Sequence, residues 1–284
     1  MKLPFFLARR FVASEALDGT LPVARDLRAK GLLTTLDLLG EYISERSLAE
    51  QALEAYLGLI KTLSLEEGID RNISIKLSML GQKIDEEFCV ANLLQLLEVA
   101  KKSDAFIRLD MEGTDVTSST IGILERVFPD YPKNVGIVLQ AYLRRTGDDI
   151  AHMCELGARV RLCKGAYREP ESLAYPKMSE IRDKYLEHME VLMVQGNYPG
   201  IATHDDILIN AVRTYVADNA VASDHFEFQM LYGIRTDTQL EIAAAGYNMR
   251  IYIPYGEMWY PYFSRRLRER KENVFFVLKH MFSR

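Results

Sequence analysis

Cysteine is scarce in this chain: Cys89, Cys154 and Cys163 are the only three in 284 residues. They are far apart and odd in number, which excludes a disulfide framework and a zinc site of paired cysteines. A reducing cytosol is the expected compartment. Positive charge is also in deficit. Lys+Arg 35 against Asp+Glu 40 gives a net charge of −5, so the basic field of a dedicated nucleic-acid binder is absent and no nucleic-acid partner is expected. No window approaches eighteen uninterrupted apolar residues, which excludes a spanning helix. The opening segment, Met1 to Arg10, resembles an export signal only superficially. Its apolar run is short and broken by Arg9-Arg10, so no export signal is read.

Two further absences narrow the fold. No Gly-x-Gly-x-x-Gly follows any strand candidate, which weighs against a dinucleotide-binding open sheet. No low-complexity linker or break in composition appears, so a single domain is expected over residues 1–284, opened by a helical arm over residues 1–31. Hydrophobic residues at 48% and charged ones at 26% are ordinary globular values and exclude a disordered chain.

What is present is alternation. Strand candidates occur at Leu32–Leu38, Ile73–Met79, Phe106–Met111, Val135–Tyr142, Arg159–Cys163, Ile201–His204, Phe226–Leu231 and Met249–Ile253. Between them lie stretches with i, i+3/i+4 apolar spacing, including Leu48–Leu65, Phe88–Lys101 and Glu180–Gln195. Strand alternating with helix is the pattern of a parallel sheet, and eight such units in this length predict an α/β protein of the (β/α)8 barrel type.

Barrel enzymes place their chemistry at the carboxyl ends of the strands. Here those ends carry Lys76, then Arg108 to Glu112 with Asp110 and Met111, then Gln140, Arg161 to Tyr167 with Lys164, His204-Asp205, and Tyr252. A charge inside an apolar strand is costly unless paired or used, and a collection over several strands points to a site. Just beyond the last strand, Trp259 to Arg270 contains Pro261 and then Arg265-Arg266. A proline in the first turn followed by two arginines favours an anionic ligand, because guanidinium forks bind carboxylate or phosphate bidentately.

Three other readings stay open on the residues alone. Lys164 at a strand end suits the Schiff-base lysine of a class I aldolase. His204-Asp205-Asp206 with Asp224-His225 offers metal-ligand types, although the first strand lacks a His-x-His; no metal is expected. A non-catalytic barrel binding a ligand or partner is the third.

The blocks Arg161-Leu162-Cys163-Lys164-Gly165-Ala166-Tyr167, Ala202-Thr203-His204-Asp205, Phe226 to Gly233 and Tyr262-x-x-Arg265-Arg266-x-x-Glu269 resemble the proline dehydrogenase family in order and spacing. Leu36 to Glu41 and Ser74 to Ser78 match as well, so the likeness runs from about Arg9 to Phe276. It is similar to the monofunctional bacterial branch. The resemblance implies a distorted barrel that binds FAD non-covalently, oxidises L-proline to Δ1-pyrroline-5-carboxylate and passes electrons to a quinone. It also implies a cytoplasmic protein with peripheral contact at the inner face of the plasma membrane.

Carried over by position, the resemblance places Arg161 beside the flavin N5, Gln140 on the isoalloxazine edge and Met111 against the ring. Cys163, Lys164, Gly165 and Ala166 meet the ribityl–pyrophosphate part, and Thr203, His204 and Glu269 also touch the cofactor. Lys76, Arg265 and Arg266 hold the proline carboxylate. Tyr167, Leu231 and Tyr252 enclose the ring, with Asp110 close by and grouped with Arg161 as catalytic. Cys163 stands where the family usually has valine, which matters little if only its backbone is used. The N-terminal arm is shorter than in typical members.

Overall fold

A computed structural model describes residues 4–40 and 43–269, with the side chains of residues 268 and 269 left out. Glu41 and the Glu269 side chain, both among the residues read from sequence, lie outside it.

Eight parallel strands close into a barrel in sequential order. They are β1 (Leu33–Leu38), β2 (Asn72–Ile75), β3 (Phe106–Leu109), β4 (Val135–Gln140), β5 (Arg159–Cys163), β6 (Gly200–Ala202), β7 (Glu227–Leu231) and β8 (Asn248–Tyr255). The helices are α1 (Leu17–Ala29), α2 (Arg46–Leu65), α3 (Glu86–Lys102), α4 (Thr114–Val127), α5 (Thr146–Leu156), α6 (Met178–Gln195), α7 (Asp206–Asp218), α8 (Thr236–Ala244) and α9 (Trp259–Glu269). The expected barrel is the observed one.

Strand alternation sorts the residues. Leu36, Ile73, Ile107, Ile137, Val160, Ile201, Phe228 and Ile251 are fully or almost fully buried and join the large core between sheet and helices. Burying each such side chain contributes about 1.5–3 kcal/mol. The intervening positions, including Ser74, Asp110, Arg161, Glu227, Gln229 and Arg250, meet one another across the lumen, and Arg108 donates to the Ile137 and Arg159 carbonyls. A barrel interior is ordinarily filled with branched apolar residues. Here it is largely polar.

Two departures from a regular barrel shape the mouth. First, α1 packs against β1 and β8 through Leu21, Ala24 and Leu27, taking the place a helix after β8 would fill. Second, α9 turns over the carboxyl end, where Trp259, Tyr262 and Phe263 pack on Leu7, Phe11 and Val12 of the arm and on Leu39 and Ile234. The arm is thus part of the mouth. It crosses so near the β7–α8 turn that a Cβ on Gly233, whose φ is +70°, would lie 1.5 Å from the Arg10 carbonyl oxygen.

Several strand ends differ from the sequence reading by one or two residues, as at β3, β4, β6 and β8, and β2 differs most. β2 ends at Ile75 rather than running to Met79, and Leu77–Leu80 wind into a 3-10 turn, with the Met79 amide donating to the Lys76 carbonyl at 3.0 Å. All four turn residues are buried, so their apolar run looks like strand by composition alone. Gly81, at φ +94°, ends the turn.

Candidate active site

The register sets neighbouring strand ends level. Leu109 pairs with Ile137, Val138 with Arg161, and Leu231 with Tyr252. Asp110, one residue past β3, therefore faces Arg161 across the lumen. Arg161 Nη1 donates to Asp110 Oδ1 at 2.8 Å, Nη2 to Ser74 Oγ at 3.0 Å and Nε to Gln229 Oε1 at 2.5 Å. Tyr252 donates its phenolic hydrogen to Asp110 Oδ2 at 2.7 Å, and the Arg161 guanidinium carbon sits 5.3 Å from the Tyr252 ring centre. Burial, with the negative charge of Asp110, holds the Tyr252 phenol well above its ordinary pKa, so it stays a neutral donor.

Beside this cluster, Lys76 Nζ donates to Asp37 Oδ1 at 2.9 Å. Burial opposes the ammonium charge, yet Asp37 and Asp110 outweigh it and raise the Lys76 pKa. Asp37 is fully buried. Four of the residues expected in the site, Lys76, Asp110, Arg161 and Tyr252, thus lie in one polar patch.

The rest surround it. Gln140 is buried and donates through Nε2 to the Glu112 carbonyl at 2.9 Å. Met111 is buried beside Asp110. Cys163 points its sulfur at the Leu139 carbonyl, and burial pushes its thiol up to about 12, which removes it as a nucleophile. Gly165 has φ +119°, and a Cβ there would fall 2.1 Å from the Tyr142 ring. Backbone and space both demand glycine, so the turn from Cys163 to Ala166 lies against Tyr142. Thr203 Oγ1 accepts from the Asp205 amide, and His204 Nε2 accepts from the Leu231 amide at 2.9 Å. Tyr167 is 39% exposed and feels the charges of Glu112, Lys76, Arg265 and Asp110, which places it over the patch. The Arg266 guanidinium lies over the Tyr262 ring. Leu231 is half-buried at the end of β7.

The residue readings that competed on sequence now have atoms to account for. Lys164 Nζ donates to Asp205 Oδ2 at 3.0 Å, and Arg182 Nε to the same oxygen at 2.9 Å. Lys164 Nζ is thus taken up by a carboxylate that it shares with Arg182. His204 Nε2 and Asp205 are committed to these partners, and no group of three or more His, Cys, Asp or Glu placed for a metal occurs among the described residues. A shallow depression of about 620 Å³ lined by Glu66, Arg71 and Asp104 lies before β2 and β3, at the opposite end from the patch.

Sequence reasoning missed Asp37 and Gln229 as members of the site. Asp37 carried a usable signal, being a carboxylate within an apolar strand. Gln229 carried none, because an uncharged amide in a strand looks unremarkable until its partners are known.

The comparisons with known proteins bear on family and fold. The sequence model of the family described as Proline dehydrogenase matches residues 20–279. The chain is 37% identical over 274 residues to "Proline dehydrogenase 2" of Bacillus subtilis (strain 168), covering 96% of this chain and 90% of that one. It is 39% identical over 281 residues to the proline dehydrogenase of Deinococcus radiodurans, covering 97% and 90%. Among solved structures, proline utilization A from Bdellovibrio bacteriovorus, inactivated by N-propargylglycine, superposes with a TM-score of 0.86 at 26% identity. That match takes in 93% of this chain and 32% of the other, so the chain spans about a third of that larger protein. Proline utilization A from Corynebacterium freiburgense shares the fold, at a TM-score of 0.82 and 20% identity over 98% of this chain and 32% of that one. A closed barrel, a charged patch at its strand ends and matches over nearly the whole length lead to one conclusion: the chain is an enzyme of the proline dehydrogenase family.

Proposed function

We propose that the enzyme oxidises L-proline to Δ1-pyrroline-5-carboxylate with non-covalently bound FAD and passes the electrons to a quinone, in the first step of proline catabolism. The observation that carries this reading is the Asp110–Arg161–Tyr252 cluster, a fixed cation in a mostly buried setting at the strand ends.

The donor set fits a flavin dinucleotide. Arg161 offers a held guanidinium, and Lys164 and Arg182 converge on one carboxylate at 29% and 32% side-chain exposure. That pair suits a pyrophosphate, since it is cationic, reachable and already positioned. Glycine at 165, required by its positive φ and by the Tyr142 ring, sets the path of the turn that carries Lys164. Arg161, Gln140 and Met111 would hold the flavin ring. Cys163, Lys164, Gly165 and Ala166 would meet the ribityl and phosphate parts, with Thr203, His204 and Glu269 completing the set. When bound, FAD supplies the acceptor for the hydride that leaves C5 of proline.

The protein's own groups do the rest. Lys76, Arg265 and Arg266 bind the α-carboxylate, and Tyr167, Leu231 and Tyr252 enclose the ring. Both oxygens of Asp110 already accept hydrogen bonds, from Arg161 and Tyr252. Asp110 therefore holds those two groups in place. The amine must be neutral for its lone pair to assist hydride loss, so the site selects deprotonated proline or releases the proton to water. Arg161 places fixed positive charge where negative charge develops, the arrangement that gives the largest electrostatic return.

No helix among the described residues is long and apolar enough to cross a membrane, and contact with the quinone pool would be peripheral, at the inner face of the plasma membrane. Acid precipitation tests the cofactor assignment. Free FAD should appear in the supernatant; colour retained in the pellet, or FMN in solution, contradicts it.

A further inference from the structure

Beneath Arg161 lies an uncharged side chain whose orientation is forced. Gln229 accepts the Arg161 Nε hydrogen through Oε1 and donates through Nε2 to Glu227 Oε1, each at 2.5 Å. An amide has one acceptor end and one donor end. Turned over, it would set its NH2 against the Arg161 N–H and its oxygen against a carboxylate, two repulsions in a buried setting.

Glu227 acts as the key to that orientation, and its charge is secured from the other side. Arg250 Nε donates to Glu227 Oε1 at 2.7 Å, and the Tyr198 hydroxyl to Oε2 at 3.2 Å. Burial pushes the Glu227 carboxyl up, but Arg250 and Arg108 outweigh it and keep it below the usual carboxylate range. A continuous donor–acceptor chain therefore runs Arg250, Glu227, Gln229, Arg161, Asp110, Tyr252, from the amino-side layer of the lumen to the mouth.

A second feature belongs to the same device. Gly200 on β6 is not in a left-handed conformation, yet a Cβ there would lie 2.5 Å from Gln229 Nε2 and 3.0 Å from its Cδ. Glycine at this position clears the space that the amide occupies.

We propose that Gln229, oriented by Glu227, is the positioning residue that fixes the rotation of the Arg161 guanidinium and so the field it applies at the site of hydride transfer. Of the three groups that hold Arg161, Asp110 also carries Tyr252 and sits at the mouth, and Ser74 shares its hydroxyl with Thr35 at 3.2 Å. Gln229 is the anchor that lies away from the substrate. The inference rests on Arg161 acting beside the flavin.

The test uses the holoenzyme with Gln229→Leu and Gly200→Ala, and reads single-turnover flavin reduction, proline Kd and the flavin midpoint potential. Losing one charge-assisted bond should slow flavin reduction at saturating proline about tenfold. Proline Kd should move less than about threefold, because no carboxylate-binding group is touched. The midpoint potential should become more negative, and the crystal structure of Gln229→Leu should show the guanidinium turned off Asp110. Gly200→Ala should act in the same direction with Gln229 still present. Tyr198→Phe removes the bonds to Glu227 Oε2 and from Asn248 Nδ2, leaves both bonds at Glu227 Oε1 in place, and should change neither rate nor potential. If Gln229→Leu fails to fold, Gly200→Ala and Gln229→Met carry the same expectations. A loss of thermal stability with rate and potential unchanged would overturn the proposal, as would an effect on Kd alone. Arg161→Met separates the two levels. If it leaves the potential unmoved, the placement of Arg161 itself fails; if it moves the potential and the Gln229 variants do not, only the positioning role fails.

Discussion

Tyr252 and Asp110 stand 142 residues apart in sequence and share a 2.7 Å hydrogen bond, with the phenol donating to the carboxylate oxygen that Arg161 leaves available. The aromatic ring is thereby fixed at the mouth by its polar end.

That fixation leads to a prediction about ring recognition. If Tyr252 packs against C4 of proline, as proposed, a 4-hydroxyl meets a clash or loses water without gaining a partner, at about 1–3 kcal/mol. Trans-4-hydroxy-L-proline should be disfavoured by roughly ten- to a hundredfold in kcat/KM. Tyr252→Ser opens that volume and should lower activity on proline while sparing or improving hydroxyproline. The ratio of the two kcat/KM values, compared between wild type and variant, is the quantity to measure. An identical ratio removes Tyr252 from the reading of C4.

Arg266→Met keeps apolar bulk and removes the guanidinium fork. A charge-assisted hydrogen bond in a closed site contributes about 1.5–3 kcal/mol, so the KM for proline should rise roughly ten- to a hundredfold. FAD content should be unchanged. A KM that stays put would take Arg266 out of the substrate site.

How much of this was legible in sequence depends on whether the signal was local. β5 was read with its observed bounds, Arg159–Cys163, because charged and glycine residues punctuate it on both sides. β2 was overrun into Leu77–Leu80, because a buried turn and a buried strand show the same apolar run. Asp110 and Arg161 stood out as charges in apolar strands. Arg108, Arg250 and Glu227 are also charges within apolar strands, yet they form the layer below the mouth. Strand-end position, not charge alone, separates the two groups. Gln229 was silent because its meaning lies in Arg161, 68 residues away. The path of α9 over the mouth was likewise hidden, since nothing local says that a helix after β8 leaves the outer ring to pack on the arm.

Stability should depend on pH through Glu227. Its folded carboxyl is held below the ordinary value by Arg250 and Arg108 against the opposing effect of burial. A depressed folded pKa gives stability that is fully present above the unfolded value, about 4.3, and is lost as pH falls through the folded one. The urea midpoint should therefore drop as pH is lowered from about 5. Glu227→Gln leaves Arg250 buried without its counter-charge, at a cost of about 3–5 kcal/mol near neutral pH, and should flatten part of that acid dependence. Equal urea midpoints for wild type and variant at pH 7 would contradict the ion pair's role.

The most direct test of the central claim is an anaerobic titration of the purified holoenzyme with L-proline, followed by visible absorption. Oxidation of proline at the Lys76, Asp110, Arg161 and Tyr252 patch predicts that the flavin bands bleach on adding L-proline and return with a quinone analogue. In Arg161→Met, bleaching should be slowed by at least about a hundredfold. Flavin bands that persist unchanged in the wild type under excess L-proline would contradict the account.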